Sequence, residues 1–185
     1  MMTKTLSHIL TVFKVVKIIS KVVFILCIVG GAGSLLGLLT LPLLKETLTV
    51  HFFEAKGLLF GEAYAACLVG LVACIGEAIL AFLAGRYFGN VLNAGTPFTF
   101  EGAKEAFRFG VTSLIVSVAT STIAGMALGI FTLIWAEPMS IDIHMSIPVS
   151  TGLFFMFLSL IFKHGAEQQS FATPEIPKVN DININ

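Results

Sequence analysis

Four separate apolar runs of bilayer length leave this chain few folds to adopt. They cover roughly 22–44, 65–83, 110–136 and 147–162, and the second can continue as helix to Leu92. A hydrocarbon core about 30 Å thick takes about 20 mainly apolar residues at a rise of about 1.5 Å each. Inside it every backbone N–H and C=O must be bonded within the protein, so such runs fold as helices. Composition points the same way. The chain is 56% hydrophobic and 12% charged, against about 45–50% and about 25% for water-soluble domains. The expected fold class is an all-α integral membrane four-helix bundle over residues 1–169. Residues 170–185, with Pro174, Pro177 and polar neighbours, read as a disordered cytoplasmic tail.

Lysine and arginine orient the bundle. Lys4, Lys14, Lys17 and Lys21 precede the first run; Arg86, Lys104 and Arg108 lie between the second and third; Lys163 and Lys178 follow the fourth. Only Lys45 and Lys56 fall on the other side. Nine of the eleven cations therefore predict both termini and the middle loop in the cytoplasm, in a multi-pass inner-membrane protein. The loops at 44–65 and 137–147 would face outward. The first run is about twice a secretory apolar core and has no Ala-x-Ala site after it, so it reads as an uncleaved helix. Residues 7–21 alternate cations with apolar residues at near-helical spacing. This suits either a helix lying on the inner leaflet or the start of the first spanning helix.

Other classes are disfavoured. A net charge of zero gives no pull toward nucleic acid. Cys27, Cys67 and Cys74 sit inside apolar runs and read as small apolar fillers, with no disulfide framework. The outer-side residues His51, Glu54, Glu62, Glu137, Asp142 and His144 have no metal-ligand spacing beyond Asp142-Ile143-His144, so no metal or cofactor is expected. The glycines at 30–37 lie mid-run with no strand before them, which excludes a nucleotide-binding turn. No nucleophile–base motif occurs, so the protein is expected not to be an enzyme.

Two polar segments carry the most specific signals. In Gly95-Thr96-Pro97-Phe98-Thr99-Phe100-Glu101-Gly102-Ala103-Lys104, glycine and proline break the chain. Thr99 is placed to cap the next helix near Gly102, Glu101 suits its first turn, and Phe98 is expected to fold back as a staple. In Phe162-Lys163-His164-Gly165-Ala166-Glu167-Gln168-Gln169, Gly165 suits a helix C-cap, and Lys163 and His164 suit the negative helix end.

At these segments the chain resembles a bacterial family of small four-helix membrane proteins termed domain of unknown function 2975. Gly95, Thr96, Pro97, Phe98 and Thr99, followed by Glu101, Ala103 and Lys104, match the family's loop; Gly165, Ala166, Glu167 and Gln169 match its second segment. The chain departs from the family at Ser170-Phe171-Ala172-Thr173, where members often continue into an acidic segment. The resemblance implies no catalytic residues. Relatives that sit beside small helix-turn-helix regulators imply a regulatory or stress context.

Glu77 is the one acid inside the second run. A charge at that depth costs about 2.5–3.5 kcal/mol on insertion scales. Depth matching expects Ser117 or Ser121 opposite it. The carboxyl then serves either as hydrogen-bonded glue or as a protonatable site on a proton or cation path. Ser113, Ser117, Ser121, Gly125 and Gly129 form a stripe at four-residue steps, read chiefly as a packing face, with Gly33 and Gly37 of the first helix as its counterpart. The expected function is non-enzymatic: contacts with other membrane or cytoplasmic proteins through residues 95–108 and 163–169. The alternative is a small transporter or channel subunit centred on Glu77. A third reading is protection against membrane stress by the outer loops.

Overall fold

The computed structural model describes residues 4–43, 60–135 and 146–172. Residues 44–59 and 137–145 of the predicted outer loops, including Asp142 and His144, and residues 173–185 of the tail lie outside them; residues 60–65 and 146–147, read as loop, are helical. The described residues form four helices and no strand: α1 Lys4–Leu43, α2 Phe60–Ala94, α3 Phe100–Trp135 and α4 Ser146–Ala172. All four are long and apolar enough to cross a membrane. The architecture is the expected all-α membrane bundle.

Each helix runs well past its apolar run. α1 has 40 residues, about 60 Å at about 1.5 Å per residue and twice the hydrocarbon thickness. It is unbroken through Lys21, so residues 7–21 are the start of the spanning helix; Phe13 meets Phe88 of α2 with ring centroids 5.4 Å apart and the rings tilted by 52°. The predicted tail also begins as helix. α4 reaches Ala172, with the Ser170 hydroxyl donating to Glu167 O at 2.7 Å.

Helices adjacent in sequence make the main interfaces, and all three pairs are antiparallel. Along α1 and α2, Phe13 meets Phe88 and Phe24 meets Phe82, while Gly37 faces Cys67. Along α2 and α3, Tyr64 meets Phe131 and Tyr87 meets Phe109. Along α3 and α4, Phe109 meets Phe155 and Gly110 meets Gly152. The N-terminus of α1, the 95–99 turn and the C-terminus of α4 therefore share one end.

The core sits at that end. Tyr87, Phe88, Val91, Ala103, Ala106, Phe109, Phe155 and Phe162 form one buried cluster. Phe109 and Phe155 meet edge-on at 4.6 Å, and Tyr87 reaches Phe155 at 5.7 Å, tying α2 to α4. By contrast, nothing in the most apolar stretch of α1 is buried within the protein. Val22, Ile25, Leu26 and Val29 are exposed, as lipid-facing residues must be, since lipid tails replace a protein core.

Close helix approach rests on small residues, at places the sequence pattern did not single out. A Cβ on Gly110 would lie 2.8 Å from Gly152 O, and one on Gly76 2.5 Å from Thr120 Oγ1. Two of the predicted filler cysteines occupy glycine notches of α1: Cys74 beside Gly30 and Gly31, and Cys67 beside Gly37. Gly30, Gly31 and Gly37 therefore face α2, while a Cβ on Gly33 would meet none of the described residues; the α1 glycines are not the counterpart of the α3 stripe. Only the first part of that stripe is packed. Ser113 and Ser117 are buried, but Gly125 and Gly129 have nothing within 4 Å. A four-residue step overshoots one helical turn by about 40°, so after four steps the stripe has rotated most of the way to the opposite face. Ser117 donates back to Ser113 O at 2.6 Å, the self-bonding open to a helical serine.

The helices are not level. Ser159 bonds Ala103 O, Phe155 meets Phe109 and Gly152 meets Gly110. Extending this pairing sets Ser146, the start of α4, about level with Ser117 of α3. Among the described residues, α4 flanks only the turn-proximal half of α3.

Candidate functional site

The 95–99 turn is built almost residue by residue as its chemistry requires. Gly95 has φ +72° and donates its N–H to Val91 O at 3.1 Å, closing α2. Glycine adopts this left-handed backbone without the steric cost other residues meet. Thr96 Oγ1 accepts from Phe98 N at 3.2 Å. Pro97 is fully buried. Thr99 Oγ1 accepts from Gly102 N at 2.9 Å, the predicted cap, and Thr99 O accepts from Ala103 N. Gly102 is small of necessity, since a Cβ there would lie 2.9 Å from both Pro97 O and Thr99 Oγ1.

Phe98 does not serve merely as a local staple. Its ring crosses to α4, meeting Phe162 edge-on at 5.8 Å and lying flat against Gly165, where a Cβ would come within 2.5 Å of Phe98 Cδ1. The predicted C-cap role of Gly165 is thereby corrected. Gly165 is interior to α4, which continues to Ala172; its value is the missing side chain that admits Phe98. Ala166 is buried beside it. Ser159 adds a second tie, its hydroxyl donating to Ala103 O at 2.8 Å. Two segments far apart in sequence thus form one unit. Its outer surface is polar: Lys104, Lys163 and His164 are exposed, and His164 Nδ1 lies 4.0 Å from a Glu167 carboxylate oxygen, an exposed pair of little energetic weight. For Gln169 the structure describes only its place in α4.

Glu77 stands apart from that unit. It lines a cleft of about 190 Å³ to which all four helices contribute, together with Ser20, Ser113 and Thr151. The α3 hydroxyl that shares the cleft is Ser113, where Ser117 or Ser121 was expected. Glu77 is exposed. Ser20 donates to Val16 O at 2.9 Å.

A second cleft, of about 250 Å³, runs between α2 and α3 where the apolar runs give way to charge. Leu83, Arg86, Tyr87, Asn90, Glu105, Arg108, Phe109 and Thr112 line it. Asn90 Nδ2 donates to Glu105 Oε1 at 2.9 Å. The Tyr87 hydroxyl is buried and has no hydrogen-bond partner among the described residues, which costs about 1–3 kcal/mol for such a group. Sequence reasoning missed this cleft and the aromatic cluster beneath it. The available signal was Arg86-Tyr87-Phe88 at the end of an apolar run and Arg108-Phe109 at the start of the next. Among the described residues, no three His, Cys, Asp or Glu side chains are grouped to hold a metal ion.

No protein-family model, no curated protein and no solved structure matches this chain.

Proposed function

We propose that this is a non-enzymatic, multi-pass protein of the bacterial inner membrane, of the four-helix family its motifs resemble, which works through protein contacts in a regulatory or stress context. The supporting observation is the junction of its two motif segments. Phe98 seated on Gly165 makes an ordered surface from the 95–99 turn and the end of α4, and the cation distribution favours the cytoplasm for that end. Lys104 and Lys163 project from it without a role in its packing.

The test is affinity purification in mild detergent with the wild type and a Lys104→Glu/Lys163→Glu variant. A partner retained reproducibly by the wild type should fall several-fold in the variant, at unchanged expression and melting temperature. Equal recovery by both proteins, or none by either, would remove this reading.

One observation favours a second reading, a small proton- or cation-conducting subunit: Glu77 lies in a cleft bounded by all four helices. In proteoliposomes with an imposed pH gradient, the wild type should dissipate the gradient several-fold faster than empty vesicles, and Glu77→Gln should match the empty rate. The glutamine keeps the shape and removes the titratable proton, so conduction undiminished in Glu77→Gln would dispose of the proton path.

A further inference from the structure

The α2–α3 cleft has the make-up of an anion site at a membrane boundary. Arg86 and Arg108 line it from facing helices, and neither makes a salt bridge or hydrogen bond among the described residues. Two unpaired guanidiniums close together repel each other, and each offers a planar fork of donors that fits phosphate oxygens in pairs. The one acid present, Glu105, is held by Asn90 Nδ2 at 2.9 Å. The cleft therefore keeps a net single positive charge.

The second observation is independent of the arginines. Tyr87 lines the same cleft and is only 4% exposed, yet its hydroxyl has no partner. Buried polar groups in folded proteins are nearly always bonded, so one left over on a residue that lines a cleft points to a partner brought from outside. A phenol on the same cleft as two guanidiniums suits an oxygen acceptor with negative charge.

Position selects the source of that anion. From Leu83 to Asn90 the cleft rises about 10 Å along α2 at about 1.5 Å per residue. Along that rise its walls run from Leu83 and Thr112 on the side of the apolar runs, through Arg86, Tyr87, Arg108 and Phe109, to Asn90 and Glu105. That gradient matches a phospholipid at the headgroup level, with acyl chains below and the phosphodiester above; basic pockets between membrane helices bind lipid headgroups in this way. We infer that the cleft between α2 and α3 is a binding site for the phosphodiester of an anionic membrane phospholipid, held by Arg86, Arg108 and the Tyr87 hydroxyl. A headgroup with one net negative charge neutralises the site; a zwitterionic one brings a competing cation.

The experiment uses the full chain in mild detergent, titrated with phosphatidylglycerol, phosphatidylcholine or sodium phosphate, and reads melting temperature and the apparent affinity from its midpoint. Phosphatidylglycerol should raise the melting temperature by several degrees, and the other two should do so by less than a third as much. Arg86→Gln/Arg108→Gln should weaken the phosphatidylglycerol midpoint at least tenfold. Tyr87→Phe should weaken it about fivefold while the lipid-free protein melts no lower than the wild type, a combination that a purely structural tyrosine would not give. Unchanged midpoints in both variants would overturn the proposal, as would equal stabilisation by phosphatidylcholine. Equal stabilisation by sodium phosphate would overturn the lipid source, making the cleft a site for soluble phosphate.

Discussion

Leucine in place of Gly152 should drive α3 and α4 apart and cost about 3 kcal/mol or more, at or above the upper end for overpacked sites. Even a Cβ there would sit 2.8 Å from Leu114 Cγ and 3.0 Å from Gly110 O. A leucine side chain can swing aside, but a helix carbonyl cannot, so the whole of α4 must shift. Gly110→Leu should cost as much from the other side, since its Cβ would lie 2.8 Å from Gly152 O. The control is Gly33→Leu, in α1. Among the described residues nothing lies within 4 Å of a Cβ at Gly33, so its leucine meets lipid and should not lower stability, the better helix former adding up to about 1 kcal/mol. Thermal melting of the three variants in one detergent measures the contrast. A Gly152→Leu protein that melts with the wild type, or a Gly33→Leu protein that melts as low as Gly152→Leu, would refute the packing described here.

The second large effect concerns Gly165 and Phe98, and its signature is coupling. Gly165→Ala should cost about 1–3 kcal/mol by forcing the Phe98 ring out of its seat, although alanine is otherwise the better helix former by about 1 kcal/mol. Phe98→Leu should cost about 1 kcal/mol of lost contact with Phe162. If one side chain fills the space the other leaves, the double variant will be less damaged than the sum of the singles, with a coupling of about 1 kcal/mol or more. Additivity within about 0.5 kcal/mol would mean that the two residues act independently. Had Gly165 been a C-cap, the Phe98 substitution would leave the cost of Gly165→Ala untouched.

These two sites also mark where sequence reasoning stopped. The apolar runs, the break after α2 and the Thr99 cap were legible because each follows from local rules: bilayer length, the backbone freedom of Gly95, and the hydroxyl of Thr99 before a helix. Gly165 was misread because a glycine near the end of an apolar run looks the same whether it ends a helix or receives a ring from elsewhere. Only the position of Phe98 separates the two, and that is a long-range fact. The stripe from Ser113 to Gly129 failed for a different reason: its constant spacing of four looks continuous in one dimension but rotates in three. Beside Glu77, Gly76 packs against Thr120 of α3. The exposure of Glu77 itself is set by how the helices pack, which no residue pattern encodes. The cleft at Arg86 and Arg108 needed two helix ends brought side by side in register.

The offset of α4 changes what surrounds the far half of α3. At the turn end a cross-section cuts four helices; beyond the level of Ser117 it cuts three among the described residues, for about 27 Å at about 1.5 Å per residue. Val118, Ile123, Met126, Ile130 and Leu133 are bare along that length. Acyl chains solvate that stretch of α3 directly, on a helix that α4 covers nearer the turn.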